Sequence, residues 1–301
     1  MKVLSEEHAL YQLNKDVPCA CTIEQGEQIV VETLDARGGR LKTHDQLMQT
    51  APDYRDPIPK TNPCTGPMYV QGILAGDTVG VRLHGVRPHG TGFILHKREM
   101  GICKQMVEQN AVIFASLEET SAILESGLRI PLRPHIGTLG VTPLQPIATA
   151  YAGVHGGNMD CRFLEAGSRL FLRTQVDGAM LAVGDVHASM GAGELMGTGI
   201  EINASVTLSV EKVDVQIPGP VLRTEDRVRT IAADMDLQIA LEQASCNMVH
   251  LLQEYGALSR KDALCLLTTI CDSEICQSFD RDMFSVASVA IPASYLPAFS
   301  L

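Results

Sequence analysis

A mainly β fold is the first expectation from this chain, and three observations carry it. Short segments rich in β-branched residues recur, among them Ile29-Val30-Val31 and Val206-Thr207-Leu208-Ser209-Val210. Several of these segments alternate apolar with polar or small residues, the period-two pattern of a half-buried strand. The 26 glycines and 15 prolines fall largely between them, whereas helical periodicity starts only near residue 230.

Taken in order, Glu27–Leu34 reads as a strand after a Glu24-Gln25-Gly26 turn, and Asp35-Ala36-Arg37-Gly38-Gly39 ends it. Asp35 is either a turn residue or an acid lining a site. Residues 51–67 hold five prolines and read as an ordered loop. Val79, Val81 and Leu83 alternate in the next strand, and shorter strands are expected at Ala111–Ala115 and Arg129–Leu132. The segment Ile136–Pro143 is apolar and broken by glycines, as where another backbone approaches closely. His135 before it is a ligand candidate or a packed, hydrogen-bonded histidine. Ser168–Val176 and Val206–Val213 alternate again. Glu201 is the one acid in the glycine-rich apolar stretch Gly197–Glu201, a setting in which an acid is paired or functional.

Beyond residue 230 the period changes. Leu237, Leu241, Ala244, Met248, Leu251 and Tyr255 fall at spacings of three and four, an amphipathic helix closed by Gly256. Ser259-Arg260-Lys261-Asp262 resembles a capping box for a second helix through Leu264, Leu267 and Ile270. Phe284–Pro297 returns to strand character. The expected division is an N-terminal β domain over 1–150, a central β segment over 151–220 and an α+β region over 221–301.

The charge of −11 argues against nucleic acid or an anionic membrane surface as partner. No apolar run reaches the roughly 18 residues of a membrane span, and the first residues lack an apolar leader segment, so a cytoplasmic protein is expected. Nine cysteines occur without paired CxxC spacing and read as free thiols rather than a structural zinc site. No glycine-rich nucleotide loop, Gly-x-Ser-x-Gly elbow or catalytic-cysteine signature is present.

Two glycine-flanked stretches concentrate the chemistry. Ala179–Val183 reads as a buried strand leading into Gly184-Asp185-Val186-His187, and alternation puts Asp185 and His187 on one face. The turn Gly191-Ala192-Gly193 brings Glu194 back toward that pair. Upstream, Gly153-Val154-His155-Gly156-Gly157-Asn158-Met159-Asp160 adds a second histidine and aspartate. These oxygen and nitrogen donors suit a divalent cation, with a carboxylate left over as base.

Several segments together resemble the acetamidase/formamidase family: Val31-Glu32-Thr33-Leu34-Asp35, Asn62-Pro63-Cys64-Thr65-Gly66-Pro67, Gly137-Thr138-Leu139-Gly140-Val141, His155-Gly156-Gly157-Asn158-Met159-Asp160 and Gly184-Asp185-Val186-His187-Ala188. Arg223-Thr224-Glu225-Asp226 and Tyr255-Gly256 with Leu258-Ser259-Arg260 are similar too. The resemblance implies a β-sandwich or barrel-like N-terminal and central part with a smaller α+β C-terminal part. It also implies hydrolysis of small linear amides of the formamide or acetamide type, a divalent metal, and a homodimer or higher homo-oligomer. One departure is that the family usually reads Gly-Asp-Gly-Glu where this chain has Gly191-Ala192-Gly193-Glu194.

The inventory fits water activation by a bound cation. The expected ligands are His155, Asp160, Asp185 and His187, with Zn²⁺ favoured by two imidazoles and Ca²⁺ or Mg²⁺ also suited to the oxygens. Glu194 is the expected general base. Asn158 or the N–H groups of Gly156-Gly157 are the expected oxyanion donors. Asp35, His135 and Glu201 are additional site-lining candidates. The rival is a binding module that keeps metal or ligand without turnover, a reading that Ala192 supports.

Overall fold

The longest strand, Thr78–His96, runs antiparallel to Glu201–Val213 from Thr78↔Val213 to Phe93↔Glu201, and this pair is the spine of the fold. The computed structural model describes residues 1–53, 56–280 and 283–301. Among the described residues nineteen strands join one large sheet, which makes the chain mainly β as expected. The strand expected from Val79 to Leu83 continues through Pro88 and His89. Shifts in register opposite residues 201–203 and 207–208 let the long ladder absorb them.

Ile29–Thr33 pairs with the other edge of Glu201–Val213, where Val31 and Val206 are opposed and fully buried. The main apolar core includes Val31, Val79, Val81, Leu170, Val183 and Val206, so the inward residues of each alternating strand meet there. Burying a side chain of this kind contributes about 1.5–3 kcal/mol. That is why register is strongly specified: a slip of one residue would send every such group to the wrong face.

The C-terminal part forms the expected helices. Asp236 caps Leu237–Glu254 through the Gln238 N–H, and Ala240, Ala244, Met248, Leu251 and Leu252 face the core. Ser259 caps Arg260–Thr269 through the Asp262 N–H. Its buried face differs from the expected one: Ala263 is buried, whereas Leu264 is 51% exposed. Leu237–Glu254 packs on Ser285–Pro292, which forms a hairpin with Asp272–Gln277, and Arg260–Thr269 packs on Leu237–Glu254. No helix among the described residues is long and apolar enough to cross a membrane.

Strand Leu181–His187 positions the site. It is buried along its whole length and lies antiparallel to His135–Gly140 and to Cys64–Val70. At its end Val186 opposes Ile202 and His187 opposes Glu201. On the far edge of His135–Gly140, Thr138 opposes Asn158. Four strand ends therefore deliver His135, Asn158, His187 and Glu201 to one corner of the sheet.

Candidate active site

Backbone conformation brings the acids into that corner. Asp160, Asp185 and Glu194 have φ of 46°, 52° and 47°, a left-handed region that side chains other than glycine rarely adopt. Each such residue stores on the order of 1–3 kcal/mol, and such strain gathers at functional sites. Asp185 and His187 do meet, but simple strand alternation is not the reason, because Asp185 leaves the extended conformation. Gly137 on the neighbouring strand makes the room. A Cβ there would lie 2.5 Å from Asp160 Oδ1 and 2.8 Å from Asp185 Oδ2.

Asp160, Asp185 and His187 form one group whose donor atoms all lie within 4.8 Å of one another. A polar shell orients it. Asn62 Nδ2 donates to Asp185 Oδ2 at 2.5 Å, and Asn158 Nδ2 donates to Asp160 Oδ2 at 2.9 Å. Thr138 Oγ1 donates to Asn158 Oδ1 at 2.5 Å, and Gln277 Nε2 to the Asn158 carbonyl at 2.6 Å. After these bonds, Asp160 Oδ1, Asp185 Oδ1 and His187 Nδ1 remain buried without a hydrogen-bond partner, Asp160 Oδ1 and His187 Nδ1 standing 3.9 Å apart. Buried polar atoms are rarely left so. Two carboxylate oxygens and an imidazole nitrogen orphaned together are the donor set of a divalent cation. His187 Nε2 sits 3.1 Å from Glu201 Oε1, the carboxylate–histidine arrangement that orients a metal-binding imidazole.

A second group, His187, Glu194 and Glu201, adjoins the first through the shared imidazole. Glu201 Oε1 also accepts from the Gly199 N–H at 3.0 Å. The turn carrying Glu194 is clamped by the C-terminal hairpin: the Gly193 N–H donates to the Cys276 carbonyl at 3.1 Å, and the Ser278 N–H to the Gly193 carbonyl at 3.1 Å. Glu194 and Glu201 line a cavity of about 40 Å³, together with Asn62, Asn158, Lys97 and Arg37. That is room for a few waters or a small organic molecule.

Crowding and burial set the charges. Burial pushes Asp160 up to about 6, against the pull of His187. Burial, then the neighbouring Glu201, raises Asp185 well above the carboxylate range. Glu194 is raised well above it too, by burial and then by Asp160. Burial opposes charge on His187, but Glu201 and the other acids outweigh it and lift the imidazole well above its ordinary value. Burial likewise acts against Glu201, yet His187 holds its carboxyl below the usual value. So much titratable chemistry beside a cavity lined by Glu194 and Glu201 marks a functional site.

The structure gathers five of the expected residues, Asp160, Asp185, His187, Glu194 and Glu201, and Asn158 stands beside them. His155 is outside both groups. It occupies the two-residue tip of a hairpin in which Gly153 opposes Gly156, and its Nε2 is unpartnered. Burial lowers its pKa to about 4, the bond to the Tyr151 carbonyl opposing. His135 packs with its ring 5.1 Å from that of His187 and donates from Nδ1 to the Arg133 carbonyl at 2.9 Å. Burial, then His187, brings His135 down to about 3. Asp35 closes a turn, accepting from the Arg37 and Gly39 N–H groups at 2.9 and 3.0 Å. Ala192 is half-buried and does not line the cavity. Sequence reasoning assigned no role to Asn62, Thr138, Gly137 or Gln277. Only the segments carrying Asn62, Gly137 and Thr138 had drawn notice.

A curled β-rich scaffold holding a buried acid–imidazole centre at a small cavity defines a hydrolytic enzyme for small molecules. The chain belongs to the acetamidase/formamidase family, which matches residues 4–153 and 148–296. An acetamidase from Mycolicibacterium smegmatis is 24% identical, with 84% of each chain covered. The crystal structure of an acetamidase from Bacillus halodurans superposes with a TM-score of 0.92 at 29% identity, covering 99% of this chain and 100% of that one. An acetamidase structure from Yersinia enterocolitica, at 23% identity and a TM-score of 0.88, covers 99% of this chain and 93% of that one and shows the same fold. The chain is an amidohydrolase acting on the carbon–nitrogen bond of linear amides.

Proposed function

We propose that this enzyme hydrolyses short linear amides of the formamide and acetamide type to carboxylate and ammonia with the help of a divalent cation held by Asp160, Asp185 and His187. The observation that carries the reading is the set of three orphaned donor atoms, Asp160 Oδ1, Asp185 Oδ1 and His187 Nδ1. When bound, the cation supplies Lewis acidity, polarising a carbonyl and acidifying water.

The chain's own residues do the rest. Glu201 accepts a hydrogen bond from His187 Nε2–H and so leaves Nδ1 as the nitrogen that would hold a cation. Asn62, Thr138 and Asn158 hold the two aspartates in place. Asn158 has one Nδ2 hydrogen committed to Asp160, which leaves the other for a developing oxyanion. Glu194 lines the cavity wall as the general base, taking a proton from water and delivering it to the leaving nitrogen. A preference for zinc leaned on two imidazoles. With His155 apart, the set has one imidazole and two carboxylates, so oxygen-preferring cations compete on closer terms. Self-association stays part of the proposal through the family resemblance. Ammonia release from a panel of short amides, with metal content measured on the same sample, tests the reading. Absence of turnover by metal-loaded protein would favour the binding-module rival.

A further inference from the structure

Lys97 follows the long strand Thr78–His96 and is 6% exposed. Among the described residues its ammonium makes no hydrogen bond or ion pair, although it lines the same cavity as Glu194, Glu201 and Asn158. A buried, unpaired ammonium is unfavourable unless something pairs it. Arg37, 2% exposed, lines the cavity as well and donates to the Thr50 carbonyl at 3.3 Å.

The plain explanation would be that these cations balance the acid cluster. The electrostatics point the other way. The groups acting on Lys97, after burial, are Arg37 and Glu99. Those acting on Glu194, after burial, are Asp160, His187, Glu201 and Asp185. No carboxylate of the acid cluster is among the groups acting on Lys97. The cavity wall thus carries two carboxylates, Glu194 and Glu201, and two cations, Lys97 and Arg37, with Lys97 paired to neither acid. A neutral amide seated against Glu194 and Glu201 leaves Lys97 without a partner. A carboxylate on the same molecule would pair it through a charge-assisted hydrogen bond.

Building on the amidase reading, we propose that Lys97 is a specificity-determining residue and that the preferred substrates are short amides bearing a carboxylate, bound with the carboxylate on Lys97 and the amide toward Asp160, Asp185 and His187. Lys97 is then the carboxylate subsite, with Arg37 beside it. A second source of the same chemistry is the carboxylate product of a neutral amide, and the test separates the two.

Malonamate and acetoacetamide are close isosteres, one ending in a carboxylate and the other in a neutral acetyl group. In metal-loaded wild-type enzyme, ammonia release is expected to give malonamate at least about a tenfold higher kcat/KM, the worth of one charge-assisted bond. Lys97→Met is expected to erase that preference through KM for malonamate, and Lys97→Arg to keep it. Equal kcat/KM for the two amides, or a preference unchanged in Lys97→Met, would overturn the proposal. So would Lys97-dependent inhibition by acetate without any preference for malonamate, which would assign the subsite to product. If neither amide is hydrolysed, the amidase reading fails separately. Calorimetric binding of malonamate to wild type and to Lys97→Met then decides the subsite: equal affinities sink it, and weakened binding to the variant supports it.

Discussion

His187 Nε2 lies 3.1 Å from Glu201 Oε1, while Nδ1 of the same ring makes no hydrogen bond and stands 3.9 Å from Asp160 Oδ1. The two residues are opposed in adjacent antiparallel strands, so the pairing is fixed by sheet register rather than by a mobile loop. One imidazole thus has a carboxylate acceptor at Nε2 and, at Nδ1, a nitrogen set among carboxylates without a hydrogen bond. That asymmetry underlies the account of the site.

Glu201→Gln removes the acceptor that sets the imidazole's orientation. We expect metal affinity to fall by about 10–100-fold, the usual effect of losing such a partner. Competition against a chromogenic chelator reads this directly. Unchanged affinity would mean that Glu201 has no orienting role.

Glu194→Gln should keep fold and metal but lower turnover by about 10²–10⁴-fold, as expected for a positioned base. His187→Ala should lose both metal and activity. A metal-free Glu194→Gln would make Glu194 a ligand and move the search for the base to Glu201 and Asp35.

Gly137→Ala would place a methyl group 2.5 Å from Asp160 Oδ1, against buried strands with little freedom to yield. Loss of bound metal is expected with only modest change in circular dichroism. Full metal occupancy in this variant would show that the two carboxylates need no such clearance.

Lys97 gives a pH-dependent stability. Burial, then Arg37, lowers its pKa from 10.5 to about 8. Its folded-state pKa is depressed, so the penalty on the folded state is full below about pH 8 and fades as pH rises toward 10.5. At pH 7 the penalty is on the order of 3 kcal/mol. Lys97→Met should therefore be the more stable protein at pH 7, with an advantage that shrinks across that window. Denaturant melts at pH 7 and pH 10 check it; a destabilised variant at pH 7 would show that Lys97 is paired after all.

Much of this was legible in the sequence. Alternation marked the strands, period and caps marked both helices, and glycine-flanked acids and imidazoles marked the site. What was missed has physical reasons. Leu264 was placed in the helix face because periodicity does not say which stripe meets the core. His155 was grouped with Asp160 by nearness in sequence. In the fold His155 sits with Val154 at the hairpin tip between Gly153 and Gly156, outside the group that holds Asp160. Gln277 lies far along the chain from Asn158, and only a C-terminal hairpin folding back onto the central motif brings them together. Long-range pairing of that kind leaves no local pattern. Glu201, by contrast, was visible as a lone acid in an apolar strand, because burial of a charge demands a partner.

The central claim is that Asp160, Asp185 and His187 hold a divalent cation on which amide hydrolysis depends. Elemental analysis of wild-type protein purified without added metal or chelator, paired with ammonia release before and after chelation, tests it most directly. At least one divalent ion per chain is expected, removed by chelator together with activity, restored on adding metal back, and missing from His187→Ala. Amide hydrolysis at full rate by protein shown to be metal-free would contradict the account.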